Sequence, residues 1–427
     1  MTLVVLFGTF LLLLLLGVPI AFTLGVSAFA TVLYMDLPLM VVFQRMAAGM
    51  NVFALMAIPF FIYAGELMLH GGIAERLVRL ANAIIGHVRG GLGLVNVLAS
   101  MLFGGISGSA VADASALGSV LIPMMREKGY DADYAVNVTV TSATIGLIIP
   151  PSHNMIIYSI AAGGTVSVAS LFLAGVVPGV LTGVCLMVAA YAVAVRRGYP
   201  REARPNWRVL IVTFAAALPG LITAIIIVGG IISGVFTATE SSSIAVIYAL
   251  IITAFAYRSL NWRAFVTATM NAVRTTAMVL LLIGTAAAFG WLLALNQVPA
   301  QLFELMQTIS DNPIVTLLII NLILLFLGTF MDMSPLIVIT TPIFLPVVKA
   351  LGMDPVQFGI LLMINLGLGL VTPPVGTVLF VGCAVAKIRM EDTLKTIWPF
   401  YLALLAALFL VTYIPAISMT LPRLVTP

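Results

Sequence analysis

Long apolar stretches separated by short polar ones run the length of this chain. About 20 apolar residues in a helix cross a hydrocarbon core of roughly 30 Å. Nine stretches fit, at 3–34, 50–70, 134–160, 168–195, 209–230, 235–257, 275–295, 355–386 and 396–418. The first is longer than one crossing needs, so a kink near Gly17-Val18-Pro19 or a tilt is expected. Two further apolar stretches, 92–125 and 313–348, carry Gly, Ser or Asp at their middles and Pro near their ends. Each reads as a re-entrant helical hairpin. Two segments, 73-IAERLVRLANAIIGHVR-89 and 298-VPAQLFELMQTISD-311, are amphipathic and too polar to cross. Ile73, Leu77, Leu80 and Ile84 recur at helical spacing beside Glu75, Arg76 and Arg79, which suits a helix lying along the membrane interface.

Composition sharpens this reading. The chain is 62% hydrophobic and 8% charged, against about 25% charged in soluble domains, so it is an all-α polytopic membrane protein. The first 35 residues hold no Lys or Arg. Without a basic start or a short apolar core they are a retained span rather than a signal peptide. Cys185 and Cys383 lie in apolar spans as packed thiols, and the three histidines lack metal-ligand spacing. With the N-terminus inside, 16 basic residues fall in cytoplasmic segments and three (Arg45, Lys349 and Arg423) outside. That bias orients the chain with its N-terminus in the cytoplasm and its C-terminus out.

Sliding the chain on itself by 223 residues gives a gap-free match over 47 positions. Gly105 meets Gly328, Pro123 meets Pro346, Gly129 and Asp131 meet Gly352 and Asp354, Gly146 meets Gly369, and Pro150-Pro151 meets Pro373-Pro374. Five crossings separate the two hairpins, an odd number, so the second copy enters from the opposite face. Paired interrupted segments in an inverted repeat point to a secondary carrier. The expected plan has scaffold spans over 1–70, an interfacial arm over 71–91 and a first repeat over 92–195. Central scaffold spans over 196–295, a second interfacial helix over 296–312 and a second repeat over 313–418 complete it. Within the repeats, 92–125 and 313–348 are hairpins, 134–160 and 355–386 are broken helices, and a final span follows the second.

The hairpins turn at 104-GGISGSAVADAS-115 and 327-LGTFMDMSP-335, and the spans break at 141-TSATIGLIIPPSHN-154 and 364-INLGLGLVTPPVGT-377. If both tips reach the midplane, each faces the break of its own repeat. Unwound backbone survives at that depth only inside protein or beside a cavity. Its free carbonyls, with Ser and Thr hydroxyls, suit a hard cation such as Na⁺. One site is expected from Ser107, Ser109 and the backbone from Gly146 through Ile149 to Pro150, the other from Gly328, Thr329 and Gly369 to Thr372. Four acids, Glu66, Asp113, Glu240 and Asp332, sit at membrane depth, where ionisable groups are functional candidates. Glu66 and Glu240 lie near span ends and read as capping or pairing groups. Asp113 and Asp332 lie at the tips, where substrate or cation contact is expected. Ser152, Asn154 and Thr377, which differ between the repeats, join them as expected substrate contacts, while His153 reads as a packed histidine.

A rival from another class starts at Gly105–Gly108, whose GISG matches the G-x-S-G of rhomboid-type intramembrane serine proteases, with Ser107 as nucleophile and His153 as base. It leaves the serine-poor second tip unexplained. A channel is a further alternative, which substrate counterflow would exclude. A P-loop for a primary pump is absent from the sequence.

The segments 58-IPFFIYAGELM-68, 104-GGISGSAVADASALG-118, 146-GLIIPPS-152, 230-GIISGVFTATESSS-243 and 369-GLVTPPVG-376 resemble the large membrane subunit of tripartite ATP-independent periplasmic (TRAP) transporters. The resemblance runs over nearly the whole chain. It implies an elevator-type carrier of the bacterial inner membrane, Na⁺ as coupling ion, and no other cofactor. It also implies a soluble periplasmic substrate-binding protein, a small membrane subunit of about four spans as a separate chain, no nucleic acid, and organic-acid substrates such as dicarboxylates, sialic acid or sugar acids. Carried over by motif, Ser107, Ser109 and Gly146 to Ser152 form the first cation site, Gly328 and Gly369 to Thr372 the second, and Asp113 lines the substrate path. Ala238 and Ser241-Ser-Ser depart from the family pattern in a segment expected to be scaffold.

Overall fold

The computed structural model describes residues 1–202, 205–310 and 312–425. Arg204, counted among the cytoplasmic cations, and Asp311, the last residue of the second amphipathic stretch, lie outside the described residues. In chain order, α1 (Thr2–Leu15), α2 (Ile20–Tyr34), α3 (Met40–Met50) and α4 (Ala57–His70) lead to the first amphipathic helix, α5 (Ile73–Ile85). α6 (Gly91–Ser107) and α7 (Ala110–Glu127) form the first hairpin. α8 (Ala132–Ala143), a 3₁₀ turn at Thr144–Leu147 and α9 (His153–Ala161) form the first broken helix. α10 (Val168–Arg196), α11 (Trp207–Ile232), α12 (Ala238–Ile251) and α13 (Trp262–Leu295) lead to the second amphipathic helix, α14 (Val298–Ile309). The second hairpin is α15 (Pro313–Gly328) with α16 (Met333–Ala350), and the second broken helix is α17 (Pro355–Gly369) with α18 (Thr377–Ala386). α19 (Met390–Leu394), α20 (Trp398–Tyr413) and α21 (Pro415–Val425) end the chain.

Four expectations change. The single span expected over 3–34 is two helices, α1 and α2, packed against each other. Gly17 takes φ +78°, its N–H bonds Leu14 O and the Val18 N–H bonds Leu13 O, the pattern that closes a helix end, and Pro19 cannot donate to continue it. The span expected over 50–70 is found as Phe53–His70 with α3 as a separate helix before it, whereas the one expected over 275–295 is part of a helix 34 residues long, about 51 Å. The final span bends by 58° between α20 and α21, where Pro415 opens the new helix. The amphipathic α5 does not spread its apolar side on lipid. Ile73, Leu77 and Leu80 are buried against α6 and α11, and only Ile84 of that series is exposed. Arg76 fixes the arm to the scaffold, donating to Gly72 O at 2.7 Å and lying 3.8 Å over the Tyr257 ring.

The inverted repeat extends beyond the hairpins. The path from α3 to α4 runs antiparallel along α13. Arg45 lies over Trp291, Gly49 abuts Ala287, Tyr63 bonds Thr269 at 3.0 Å, and Asn271 donates to Glu66 at 3.1 Å. Around this central pair the partners exchange, with α2 packed on α13 and α12 on α4. α1 beside α2 is matched by α11 beside α12. Glu240 serves as a cap, as its position suggested. Its carboxylate accepts from the Thr237 backbone and hydroxyl, and Thr237 caps α12 in return.

Candidate functional site

Each hairpin tip meets the break of its own repeat. The first tip turns at Gly108 (φ +63°), whose N–H bonds Gly104 O, and Ser109 then caps α7. Side-chain-free backbone makes the contact. A Cβ placed on Gly104 would stand 2.4 Å from the Gly146 Cα, and one on Gly105 2.9 Å from Pro150 O. In the second repeat a Cβ on Gly369 would stand 2.7 Å from the Gly328 Cα. The two glycine contacts are the same device shifted by one residue on the hairpin side, Gly104 rather than Gly105 taking the part of Gly328. Pro150-Pro151 and Pro373-Pro374 are both cis.

The first expected cation site is brought together around Ser107, the last residue of α6. Its hydroxyl donates to Asp113 Oδ1, and its oxygen accepts from the Ser109 N–H at 3.2 Å. Gly146 and the Pro150 carbonyl lie against the tip, and the Ile149 side chain packs between Gly105 of the tip and Gly179 of α10. Asp113 departs from expectation. It is fully buried and is not on the wall of the central cavity, because Ser107 draws its carboxyl inward against Gly146.

The second site is less open than unwound backbone suggested. Thr329 O accepts from Val375 N at 3.1 Å, and Val371 O accepts from the Tyr401 hydroxyl at 2.6 Å. The Thr329 and Thr372 hydroxyls donate to Phe326 O and Leu368 O, so their oxygens keep acceptor capacity, and Thr372 also lies within hydrogen-bonding reach of the Tyr401 hydroxyl.

Between the two tips on one side and α2, α4 and α13 on the other lies a cavity of about 620 Å³. Ser107, Ser109, Asn154 and Asp332 reach it from the side of the hairpins and broken helices. Asp332 also caps α16, accepting from Met333 N at 2.8 Å, and Ser334 donates to Asn154 at 3.1 Å, tying the second tip to the first break. The opposite wall comes from α2, α4 and α13 and includes Glu66. Glu66 pairs with Asn271 as expected, but its place on the cavity wall was not foreseen. Ser152 and Thr377 stand off the cavity, each with a buried side-chain oxygen that has no hydrogen-bond partner among the described residues. His153 lines the cavity beside Gly108. The Ser107 hydroxyl is committed to Asp113, so no serine–histidine dyad forms.

Three comparisons with known proteins bear on this geometry. The family model described as "Tripartite ATP-independent periplasmic transporter, DctM component" matches residues 7–417. The chain is 39% identical to the sialic acid TRAP transporter large permease protein SiaM of Vibrio cholerae, covering 96% of this chain and 95% of that one. It is 37% identical to the C4-dicarboxylate TRAP transporter large permease protein DctM of Rhodobacter capsulatus, covering 99% of each. It is 40% identical to the isethionate TRAP transporter permease protein DctMQ of Oleidesulfovibrio alaskensis, covering 97% of this chain and 65% of that longer one. Among solved structures, the YdaH transporter of Alcanivorax borkumensis superposes with TM-score 0.68 at 15% identity, covering 90% of each chain. At that identity the likeness speaks for the fold alone.

Proposed function

The chain belongs to the DctM-component family of tripartite ATP-independent periplasmic transporters, and from that premise we propose Na⁺-coupled import of an organic acid by an elevator movement. The family's members are transporter permeases, so the chain is a multi-pass membrane carrier rather than an enzyme. One observation carries the finer reading. The cavity has the tips of both hairpins on one side and α2, α4 and α13 on the other, which is what a moving body against a fixed frame requires. The glycine contacts bind each tip to its break, so hairpins and broken helices travel as a unit.

In this reading Ser107, Ser109 and the Gly146–Pro150 backbone hold one Na⁺, and the Thr329 and Thr372 oxygens with the Gly328–Gly369 backbone hold another. The organic acid occupies the cavity near Ser109, Asn154 and Asp332. A dicarboxylate, sialic acid or sugar acid reaches it from a periplasmic binding protein. A small membrane subunit of about four spans braces the scaffold, consistent with the greater length of the DctMQ relative. From the packing of α1 on α2 we propose that both termini are periplasmic, in place of the cytoplasmic N-terminus expected from a single first crossing.

The test is uptake into proteoliposomes that hold this chain with its small membrane subunit, with the binding protein outside. Uptake is expected to need both an inward Na⁺ gradient and the binding protein. Uptake unchanged when choline replaces Na⁺ overturns the coupling, and absence of counterflow points to a channel. Ser107→Ala and Thr372→Val each remove one neutral oxygen, worth about 1 kcal/mol, and are expected to raise the half-saturating Na⁺ concentration about fivefold.

A further inference from the structure

We propose that Asp113 is an anionic ligand of the first cation site, so that the two sites differ in charge and in order of filling. The first takes its cation in the substrate-free protein. The second, built from neutral oxygens, holds its cation only together with the anionic substrate. This rests on the Na⁺-coupled reading above and adds to it an unequal division of labour between repeats.

The carboxylate itself is the starting point. Asp113 is 0% exposed, in the first turn of α7. Oδ1 accepts from Ser107, while Oδ2 is buried with no hydrogen-bond partner among the described residues. Oδ2 lies against the break, where a Cβ on Gly146 would come within 2.3 Å of it. None of the ion pairs among the described residues includes Asp113. An unpaired buried carboxylate costs several kcal/mol, and the positive end of α7 returns only about 0.3–1 kcal/mol. A cation against Oδ2 removes the deficit. Ser107 donates its proton to Oδ1 and accepts from the Ser109 N–H, which leaves its oxygen one further lone pair. With the Asp113 carboxylate and the carbonyls between Gly146 and Pro150, it makes a hard-oxygen set that suits Na⁺.

The second repeat lacks this group. At the 223-residue offset Asp113 meets Leu336, and the acid of the second tip, Asp332, meets Ser109. Asp332 caps α16 and lines the cavity, and it is not among the atoms nearest the Gly328–Gly369 contact. A cation among Thr329, Thr372 and backbone therefore brings an uncompensated charge into a low-dielectric interior, which an anion in the adjoining cavity offsets. The asymmetry of one aspartate makes the first cation independent of substrate and the second dependent on it.

The test is thermal unfolding of the purified complex of this chain with its small membrane subunit, substrate-free, titrated with NaCl against choline chloride. The wild type is expected to gain stability with Na⁺. Thr372→Val should keep that response, with half-saturation within about twofold. Asp113→Asn should need at least about tenfold more Na⁺, the loss of a charged ligand being worth about 1.5–3 kcal/mol. In choline alone Asp113→Asn should melt no lower than the wild type, because the amide removes a buried charge. That separates a lost ligand from a damaged fold. Asp113→Glu should recover part of the response. A wild-type Na⁺ response in Asp113→Asn, or loss of the substrate-free response in Thr372→Val, overturns the proposal. So does a wild type without any substrate-free Na⁺ response whose uptake still requires Na⁺. Uptake that ignores Na⁺ altogether sinks the coupling reading beneath it.

Discussion

Asn365 on α17 donates its side-chain amide to both the backbone and the side-chain oxygen of Asn321 on α15, at 2.9 and 2.8 Å. The first repeat has the same joint in other residues. Asn96 donates to Thr139 at 2.6 Å, Ser142 donates to the Asn96 side chain at 3.2 Å, and Ser100 donates to Ser142 at 2.9 Å. All of these groups are buried. Each joint lies one or two turns from its glycine contact, between the same hairpin arm and broken helix, so it sets the height at which tip and break meet. Replacing Asn321 by Leu leaves the Asn365 amide short of an acceptor in hydrocarbon, at a cost of about 1–3 kcal/mol. We expect Asn321→Leu to lower the melting temperature and to weaken Na⁺ binding at the second site, while Asn321→Leu with Asn365→Leu recovers part of the stability but not the Na⁺ affinity. Na⁺ half-saturation unchanged in both would show that the joint only holds helices together.

The packed pair α1 and α2 makes a topological claim that charge counting could not make. The first 35 residues carry no Lys or Arg, so the positive-inside bias is blind to which side residue 1 occupies. A cysteine at Thr2, in a chain whose Cys185 and Cys383 are replaced, should be modified in intact spheroplasts by a membrane-impermeant maleimide. A cysteine at Glu75 should be modified only after lysis. Protection of the Thr2 cysteine until lysis would restore a single first crossing.

Tips and breaks were readable because Gly, Pro and Asp at seven positions recur at one offset, and such residues have backbone consequences that do not depend on tertiary context. The first 35 residues were harder. Residues 10–22 contain no polar side chain to mark a turn, and Gly17 to Pro19 serve a kink and a stop equally well. α3 escaped notice because Gln44, Arg45 and Gly49 dilute its apolar signal, and its register comes from α13 packed alongside. The sequence places Asp113 at a tip but does not say which side of the tip it faces. Whether a first-turn residue faces cavity or break depends on helix rotation, which neighbouring elements set. The buried Asn96 and Asn321 stood in view at an offset of 225, the one signal that could have found them.

A polar clamp joins the start of α8 to the end of α10. Arg197 reaches Asp133 at 2.8 Å and Asp131 at 3.0 Å, and the Tyr199 hydroxyl donates to Asp131 at 2.7 Å. Burial alone would raise the Asp133 carboxyl, but hydrogen bonds from Arg197 outweigh it and hold the group below its ordinary value. Burial pushes the Tyr199 hydroxyl up to about 12, so it stays a donor across the working range. A depressed folded-state carboxyl stabilises the protein above its unfolded pKa of about 3.9. That contribution is lost as pH falls through the lower folded value. We therefore expect the clamp to act at full strength from pH 8 to 5, and its share of the stability to fall away below about pH 4. Asp133→Asn should cost about 1–2 kcal/mol at pH 7, discounted for partial exposure of both partners. The difference between variant and wild type should shrink as the pH drops below 4. A difference that is constant with pH would assign the effect of Asp133 to packing rather than to its charge.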